Sequence, residues 1–532
     1  MEKLNEHIKQ RLERLKDERK SWEPFWKKLS EMCSFSPEIW TEEKNRRHRQ
    51  NVFDNTARNA LTYFSASFKS ILVPTTQRWH RLKPTNPDWE NTDMVKAYLQ
   101  YATDLLFKVR YDNRSHFASE ADLLLNQIGI YGTGYWSVEE NVGRGIVYRT
   151  IPANEIYISR NPQGYLDTVY REFRLSAKDA YRTYGEAVSE DIKKCLDKEP
   201  WRMFDFVHAV EPRNDRNPRA KDYTGMKFAS YHYEKASDKV VKEGGYRTMP
   251  YMAPRFLAME DTAYGDSPGL QAFNDILTAN EMAKTILRMG QLQANPPVLV
   301  GNTMLDSGKL GQSGAIIRGG LDSQGRPAAA SMQYGNNLAI SLEMQQDVRA
   351  SINRAFLIPL FQALTQDKEM TATEVEKREV EKAMLLAPMC ERIAAEWLYP
   401  MITRELDILS QYGLLDDVPD ELMENGSIAI EFENPAVHMQ ESSRIVGLYK
   451  TIEATMTMAQ ADPSSLDILN FPEALRQIAD YYDVDMAAIR SRTEVQELGQ
   501  QRAQAQAAQN LLGASEVITK SMKNLKGTGF GY

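Results

Sequence analysis

Two long helix-forming segments bracket a short stretch that reads as β structure, and nothing else in the chain constrains the fold as much. The first begins at Tyr264-Gly-Asp-Ser-Pro-Gly269. Ser267 is an N-cap, and Pro268 sits at a first helical position where its missing N–H costs nothing. The helix is expected to run to about Leu292, a rod of roughly 37 Å at 1.5 Å per residue. Leu270, Phe273, Ile276 and Leu277 fall on one side, with Asp275, Glu281, Lys284 and Arg288 elsewhere. Such a divided face suits a helix between a neighbour and solvent, not one buried all round. Asn295-Pro-Pro297 stops it. Val298–Val300 and Ala315–Ile317 then read as strands, with Gly, Asn and Ser between them. A second helix is expected over 338–357, so the chain returns to where it left and the small module projects on a two-helix stalk.

The remainder is predicted to be α+β and mostly helical. Residues 2–33 carry one or two helices, with Leu4, Ile8, Leu12 and Leu15 at helical spacing and Pro24 in a first turn. Residues 55–72 and 91–128 also read as helical. Pro74 ends the former, and Trp79 and Leu82 read as anchors. From 129 to 260 the character changes to short β-branched and aromatic runs, with Asn161-Pro-Gln-Gly164 as a turn and one helical interruption near 176–197. After the stalk, a helix is expected from 371 to about 411, bent at Pro388 and Pro400. Thr371 and Glu374 have the spacing of a capping box at its start. Ile428–Phe432 reads as a strand, 436–490 as Met-rich helix, and the Gln/Ala-rich tail from 493 as weakly structured.

The chain of 532 residues, 42% hydrophobic and 10% aromatic, can bury a sizeable core. Its longest apolar runs fall far short of the ~20 residues a membrane helix needs, so no membrane contact is expected. The densely charged residues 2–20 contain no signal-peptide apolar region. Cys33, Cys195 and Cys390 lie far apart, which is neither a disulfide framework nor a zinc pattern. A net charge of −8 argues against tight, general gripping of nucleic-acid phosphates.

The sequence completes none of the common catalytic motifs. Gly308-Lys309 lacks the Ser/Thr and upstream Gly of a phosphate loop, and Gly132-Thr-Gly134 lacks the third Gly of a dinucleotide fingerprint. Gly311-Gln-Ser-Gly314 is followed by Ala315, so it is no nucleophile elbow. The seven histidines are scattered without metal-ligand spacing, and His208 and His232, both in strands, read as structural. No enzyme, cofactor or metal site is expected.

Two polar stretches stand out instead. The segment Leu360–Val380 places a mixed-charge loop, with Gln362, Thr365, Gln366, Asp367, Lys368 and Glu369, between two helices. Lys44-Asn-Arg-Arg-His-Arg49, with Lys44, Arg46, Arg47 and Arg49, is the most basic run; it reads either as a contact for scaffold, capsid or DNA or as a solvated loop.

In order and spacing, LVPTTQRWHRL (72–82), YGDSPGLQAFNDILTANEM (264–282), ANPPVLV (294–300) and TATEVEKREVE (371–381) leading to Trp397–Pro400 make the chain, over about 1–490, resemble the portal or head-to-tail connector proteins of short-tailed bacteriophages. The resemblance implies a portal-type fold assembled as a ring, a dodecamer in that family, around a channel for double-stranded DNA. It implies a wing (1–264), a first stem helix (265–292), a clip (293–337), a second stem helix (338–358), a tunnel loop (359–371), a return to the wing (372–435), a helical crown (436–492) and a tail (493–532). The polar loop would then reach into the bore, with a solvated turn as its other reading. Arg318 and Arg326 of the clip would face the terminase during packaging and tail adaptor proteins later. Capsid and scaffold proteins would be further partners, and the location would be the capsid vertex of the virion after synthesis in the host cytoplasm. The alternative is another virion or scaffold-binding protein without a DNA channel.

Overall fold

The computed structural model describes residues 2–34, 40, 51–75, 77–86, 89, 92–141, 145–294, 298–300, 321, 324–327, 329–331, 338–362, 385–415, 418–419, 422, 428–432, 435–460, 462–481, 484, 490, 494–495, 497–502 and 504. Helices α1 (Glu2–Arg19), α2 (Glu23–Cys33) and α3 (Thr56–Leu72) come first, then strand β1 (His80–Pro84) and helices α4 (Asp93–Arg110) and α5 (Phe117–Tyr131). The β region runs through β2 (Trp136–Asn141), β3 (Gly145–Thr150), β4 (Ile156–Arg160), β5 (Leu166–Ser176), helices α6 (Ala177–Tyr184) and α7 (Glu190–Lys198), β6 (Met203–Pro212), β7 (Phe228–Glu234), β8 (Lys239–Tyr246) and β9 (Tyr251–Met252). The short pair β10 (Leu257–Ala258) and β11 (Gly265–Asp266) leads into α8 (Pro268–Gln271) and α9 (Phe273–Ala294). After β12 (Val298–Val300) and β13 (Ala329–Ser331) come α10 (Leu338–Ala355), α11 (Ile358–Gln362), α12 (Tyr399–Gln411), β14 (Ile428–Phe432), α13 (Pro435–Met458) and α14 (Phe471–Tyr481). The chain is thus α+β with a majority of helix, as its patterning predicts.

The chain divides into two units, 1–79 with 106–414 and 80–105 with 415–532. In the first, a five-stranded antiparallel sheet of order β4-β5-β6-β7-β8 is the main layer. Ile8, Leu12 and Leu15 of α1 bury their stripe on Tyr157, Tyr170, Val207, Ala209, Ala229, Tyr231 and Tyr233 of that sheet. A separate cluster joins α6 and α7, through Ala177, Ala180 and Ile192, to Phe204 and Phe206 of β6. Both helices start on serine caps: Ser176 accepts from Asp179 N and Ser189 from Ile192 N. The turn expected at Asn161–Gly164 is present, with Gly164 N donating to Asn161 O at 2.8 Å. A second sheet, β3-β2-β9, packs beside α5. There Gly132 (φ 76°) crosses Gly265 so closely that a Cβ on Gly132 would lie 2.0 Å from the Gly265 carbonyl oxygen.

Deep in this unit lies an ion pair between sequence-distant residues. Arg110 and Glu405, 0% and 1% exposed, meet at 2.5 Å. Tyr148 donates its hydroxyl to the same carboxylate at 2.6 Å. The guanidinium also sits 4.6 Å from the Trp79 ring. Burial opposes the Arg110 charge, but Glu405 beside it carries the group above its ordinary pKa. Burial, and next Glu405, push the Tyr148 hydroxyl well above its own, so it remains a donor.

Residues 91–128 do not form one continuous helix. The chain breaks at 111–116, where His116 adopts φ 61° and Ser115 Oγ folds back on the Arg110 carbonyl at 2.5 Å. Just before Pro400, where a bend is expected, the helix widens into a π-turn, Ala394–Leu398. Pro400 has no N–H to donate back to Glu396, and one widened turn accommodates the missing bond. That turn presents Glu396 to Arg255 (2.6 Å) and Arg160 (3.3 Å). The described part of this helical run starts at 385, so the start expected at Thr371 and Glu374 lies outside the described residues.

In the second unit β1 pairs antiparallel with β14, and the Glu431 carboxylate bridges Arg81 (2.7 Å) and Lys83 (2.6 Å). Leu82 is buried there, as expected of an anchor, and Trp79 is likewise buried in the first unit. Helices α13 and α14 pack together, with Met456, Met458 and Leu475 exposed. Among the described residues no helix is long and apolar enough to cross a membrane. The three cysteines are free thiols.

Candidate functional site

The paired helices α9 and α10, their root, and the turn that follows them form one connected polar and aromatic assembly. The Ser267 hydroxyl accepts from Leu270 N at 2.8 Å and donates to the Ile130 carbonyl, so the cap that starts the helix also pins it to α5. A break at Ala272 separates α8 from α9. Along α9 the buried stripe is Ile276, Ala279, Asn280 and Ala283; small residues here let α10 approach closely. Ser351 of α10 donates to Asp275 of α9 at 2.7 Å.

The root of the pair is a polar joint. Asn280, 5% exposed, accepts from Phe53 N (2.7 Å) and Asp54 N (3.4 Å) and donates to Asn51 O (3.1 Å). The Asp54 carboxylate accepts from Thr56 N at the start of α3 (2.8 Å), from Arg349 Nε (2.8 Å) and from Gln345 Nε2 (3.5 Å). One carboxylate therefore caps α3 and holds α10. Sequence reasoning singled out none of Asp54, Asn280, Gln345 or Arg349. The one local signal was Asp-Asn-Thr ahead of α3, a helix-start pattern.

At its far end α10 stops because Pro359 cannot continue the ladder. Leu357 takes φ 60°, a left-handed conformation that costs roughly 1–2 kcal/mol for a side chain with a Cβ. Its N–H donates to Arg354 O at 3.0 Å, and Phe361 N returns to Leu357 O at 3.2 Å. Burial of Phe356, Ile358 and Phe361 offsets the strain. Phe356 stacks edge-on to Phe64 (centroids 6.2 Å apart) and Phe361 to Phe68 (5.7 Å), both on α3. The chain thus leaves the helix pair through a strained, aromatically clamped turn.

Of the polar-loop residues, Gln362 is the exposed last residue of α11. Thr365, Gln366, Asp367, Lys368 and Glu369 lie outside the described residues, as do Lys44, Arg46, Arg47 and Arg49. The basic run is bracketed by described neighbours: Trp40, whose Nε1 donates to Tyr131 OH at 3.2 Å, and Asn51 in the polar joint. Between α9 and α10, β12 and β13 pair antiparallel, with Val298 facing Ser331. Arg326 is exposed in a turn beside the bridge Leu321–Pro327, where Gly325 supplies φ 76°. Arg318 and the strand expected at Ala315–Ile317 lie outside the described residues. Among the described residues no group of three or more His, Cys, Asp or Glu side chains is placed to hold a metal ion.

The chain matches the family described as bacteriophage head to tail connecting protein over residues 5–489. It is 27% identical over 515 residues to a probable portal protein of Bordetella phage BPP-1, covering 93% of this chain and 90% of that one. It is 25% identical over 534 residues to the portal protein of Salmonella phage epsilon15, covering 98% of this chain and 95% of that one. A solved neck of an empty GTA particle aligns with 75% of this chain and 88% of that chain at 10% identity, with a TM-score of 0.35, a likeness too slight to carry an argument.

Proposed function

This chain belongs to the family of bacteriophage head to tail connecting proteins and fills a phage portal role in the virion, and on that premise we propose that its copies close into a ring around a channel for double-stranded DNA at one capsid vertex. In this reading α9 and α10 are the stem, the β12–β13 module is the clip, 1–264 and 372–435 form the wing, and 436–492 form the crown. Residues 359–371 are the tunnel loop, whose first residues, 359–362, belong to α11 with Phe361 packed on α3. The ring is a dodecamer if it follows the family.

The observation that supports it best lies on the stem. With its buried stripe already turned inward, the helix pair still exposes Leu287 (54%), Leu292 (36%), Leu342 (42%) and Met344 (56%). Apolar side chains left uncovered along a helix, as Leu287 is one turn beyond buried Ala283, need a further neighbour. A head-to-tail contact between identical copies supplies one, and closes into a ring when its rotation closes.

The proposed tunnel loop fits a conduit more than a grip. Asp367, Lys368 and Glu369 together carry a net charge of −1. A dozen unbalanced lysines would act as a brake, since six to ten phosphate contacts change affinity by about 10³–10⁵ over a modest salt range. Arg318 and Arg326 on the clip suit a negative surface on a terminase or tail adaptor. The basic run Lys44–Arg49 suits scaffold, capsid or DNA. With no nucleotide-binding motif in the sequence, the work of translocation falls to the terminase.

Electron microscopy of the purified protein tests the reading. Rings with a central hole are expected; compact monomers, or assemblies without a hole, would refute it. Reversing Asp367 and Glu369 to Lys is expected to slow DNA packaging and alter DNA retention. Wild-type values for both would remove the tunnel-loop role.

A further inference from the structure

The five-stranded sheet carries a feature that the portal role does not use. Its register sets Arg171 of β5 opposite His208 of β6, His208 opposite His232 of β7, and His232 opposite Lys242 of β8. Four basic or potentially basic side chains therefore form one row across four strands. The two imidazoles lie face to face, centroids 4.2 Å apart and planes 10° from parallel. They are far apart in sequence and without metal-ligand spacing, so only strand register brings them together.

Hydroxyl partners hold the stack. His208 Nδ1 is 2.7 Å from Tyr251 OH of β9, and its Nε2 is 2.9 Å from Ser230 Oγ of β7. His232 Nδ1 is 3.0 Å from Tyr184 OH of α6. The pair thus ties the five-stranded sheet to α6 on one side and to β9 on the other. The charged groups nearby are mostly cationic. Arg171 and Lys242 end the row, and Glu155 balances Arg171 at 3.0 Å. Tyr246 of β8 lies against His208, with Arg404 of α12 over the Tyr246 ring. Glu139 of β2 acts on Tyr251 and Tyr246, and Glu140 acts on Tyr246.

We propose that this row is an acid-sensitive fault line, and that protonating the two histidines parts β6 from β7 and releases α6 and β9. Like charges directly opposite one another across strands destabilise the pairing. Here protonation adds two charges, on buried His208 and half-buried His232, between Arg171, which Glu155 balances, and the exposed Lys242. Burial, then the neighbouring His232, Arg171 and Lys242, hold His208 well below its ordinary pKa. Burial, then Lys242, bring His232 from 6.5 to about 4. Both folded values are depressed, so the unfolded strands bind protons first as pH falls. The stability is complete above about pH 6.5 and is lost progressively towards the folded value. From His232 alone, the opening equilibrium at pH 4.5 shifts by about 50- to 100-fold relative to pH 7.5.

Hydrogen–deuterium exchange on the full-length protein, corrected for the intrinsic pH dependence, reads this shift in peptides covering 177–184, 203–212 and 228–234. The wild type is expected to lose about 50- to 100-fold in protection there between pH 7.5 and 4.5, while α3 holds. In the His208→Gln/His232→Gln double variant the side-chain amides can still bond the hydroxyls but take up no proton, so the loss is expected to shrink below about fivefold. Lys242→Gln leaves the stack in place, removes one charge, and is expected to give an intermediate loss. Unchanged wild-type protection would overturn the proposal, as would an equal loss in the double variant. If the double variant does not fold, a Lys242→Gln loss equal to wild type overturns it.

Discussion

Replacing Leu287 by Asp puts a charge on the surface that the ring model needs for a neighbour. Leu287 exposes 54% of its surface in the single chain. Fully burying a leucine stabilises by about 1.5–3 kcal/mol, so covering the exposed half is worth about 1 kcal/mol at each contact. The aspartate forfeits that and adds the cost of desolvating a carboxylate in an apolar contact, several kcal/mol when no partner is supplied. A net loss of about 3 kcal/mol weakens each subunit contact by roughly 100-fold. The same substitution on an exposed helix face changes the stability of the lone chain by no more than about 0.5 kcal/mol. Mass photometry across a concentration series, with circular dichroism on the same samples, separates the two effects. The expected outcome is a folded protein whose rings dissociate at concentrations where wild-type rings persist. Rings of unchanged stability would show that Leu287 faces solvent in the assembly, and the stem would lose its proposed contact.

Two further perturbations probe the scaffold. Glu405→Ala strands the Arg110 charge in a site with no exposure, and is expected to cost about 3–5 kcal/mol in denaturant unfolding. The double variant Arg110→Met/Glu405→Leu should recover most of that loss, and failure to recover would show that the pair is worth more than its charge balance. Gly132→Ala drives a Cβ to 2.0 Å from the Gly265 carbonyl at a backbone φ of 76°. It is expected to destabilise by more than about 2 kcal/mol, and an unaltered melting temperature would mean that the β11–α5 crossing opens freely.

What could be read in advance was local. Ser267-Pro268 announced a helix because cap and first-turn chemistry lie within four residues, and Asn161–Gly164 announced a turn for the same reason. Trp79 and Leu82 were recognisable as anchors from bulk alone. The break at 111–116 was not readable, because it depends on Ser115 and Arg110 packing into a core assembled from distant segments. Strand β8, Lys239-Val-Val-Lys-Glu-Gly-Gly-Tyr246, lacks clean alternation and is a strand because β7 pairs with it. The joint of Asp54, Asn280 and Arg349 escaped notice because each is an ordinary polar residue until three segments converge. The histidine row was hidden for a related reason: sequence patterning marks single strands, while register belongs to pairs of them.

The pairing of Arg110 with Glu405 also orders events on the ribosome. When residue 110 emerges, its partner carboxylate is still 295 residues from being made. In the second unit, β1 waits even longer for β14, since Arg81 meets Glu431 across 350 residues. A nascent chain can pack α1 on the five-stranded sheet once β8 has emerged, whereas these two closures wait for residues 405 and 431. A polypeptide that ends before residue 405 therefore lacks the Glu405 carboxylate for Arg110 and the β14 partner for β1. Both closures together mark a subunit made at least as far as β14.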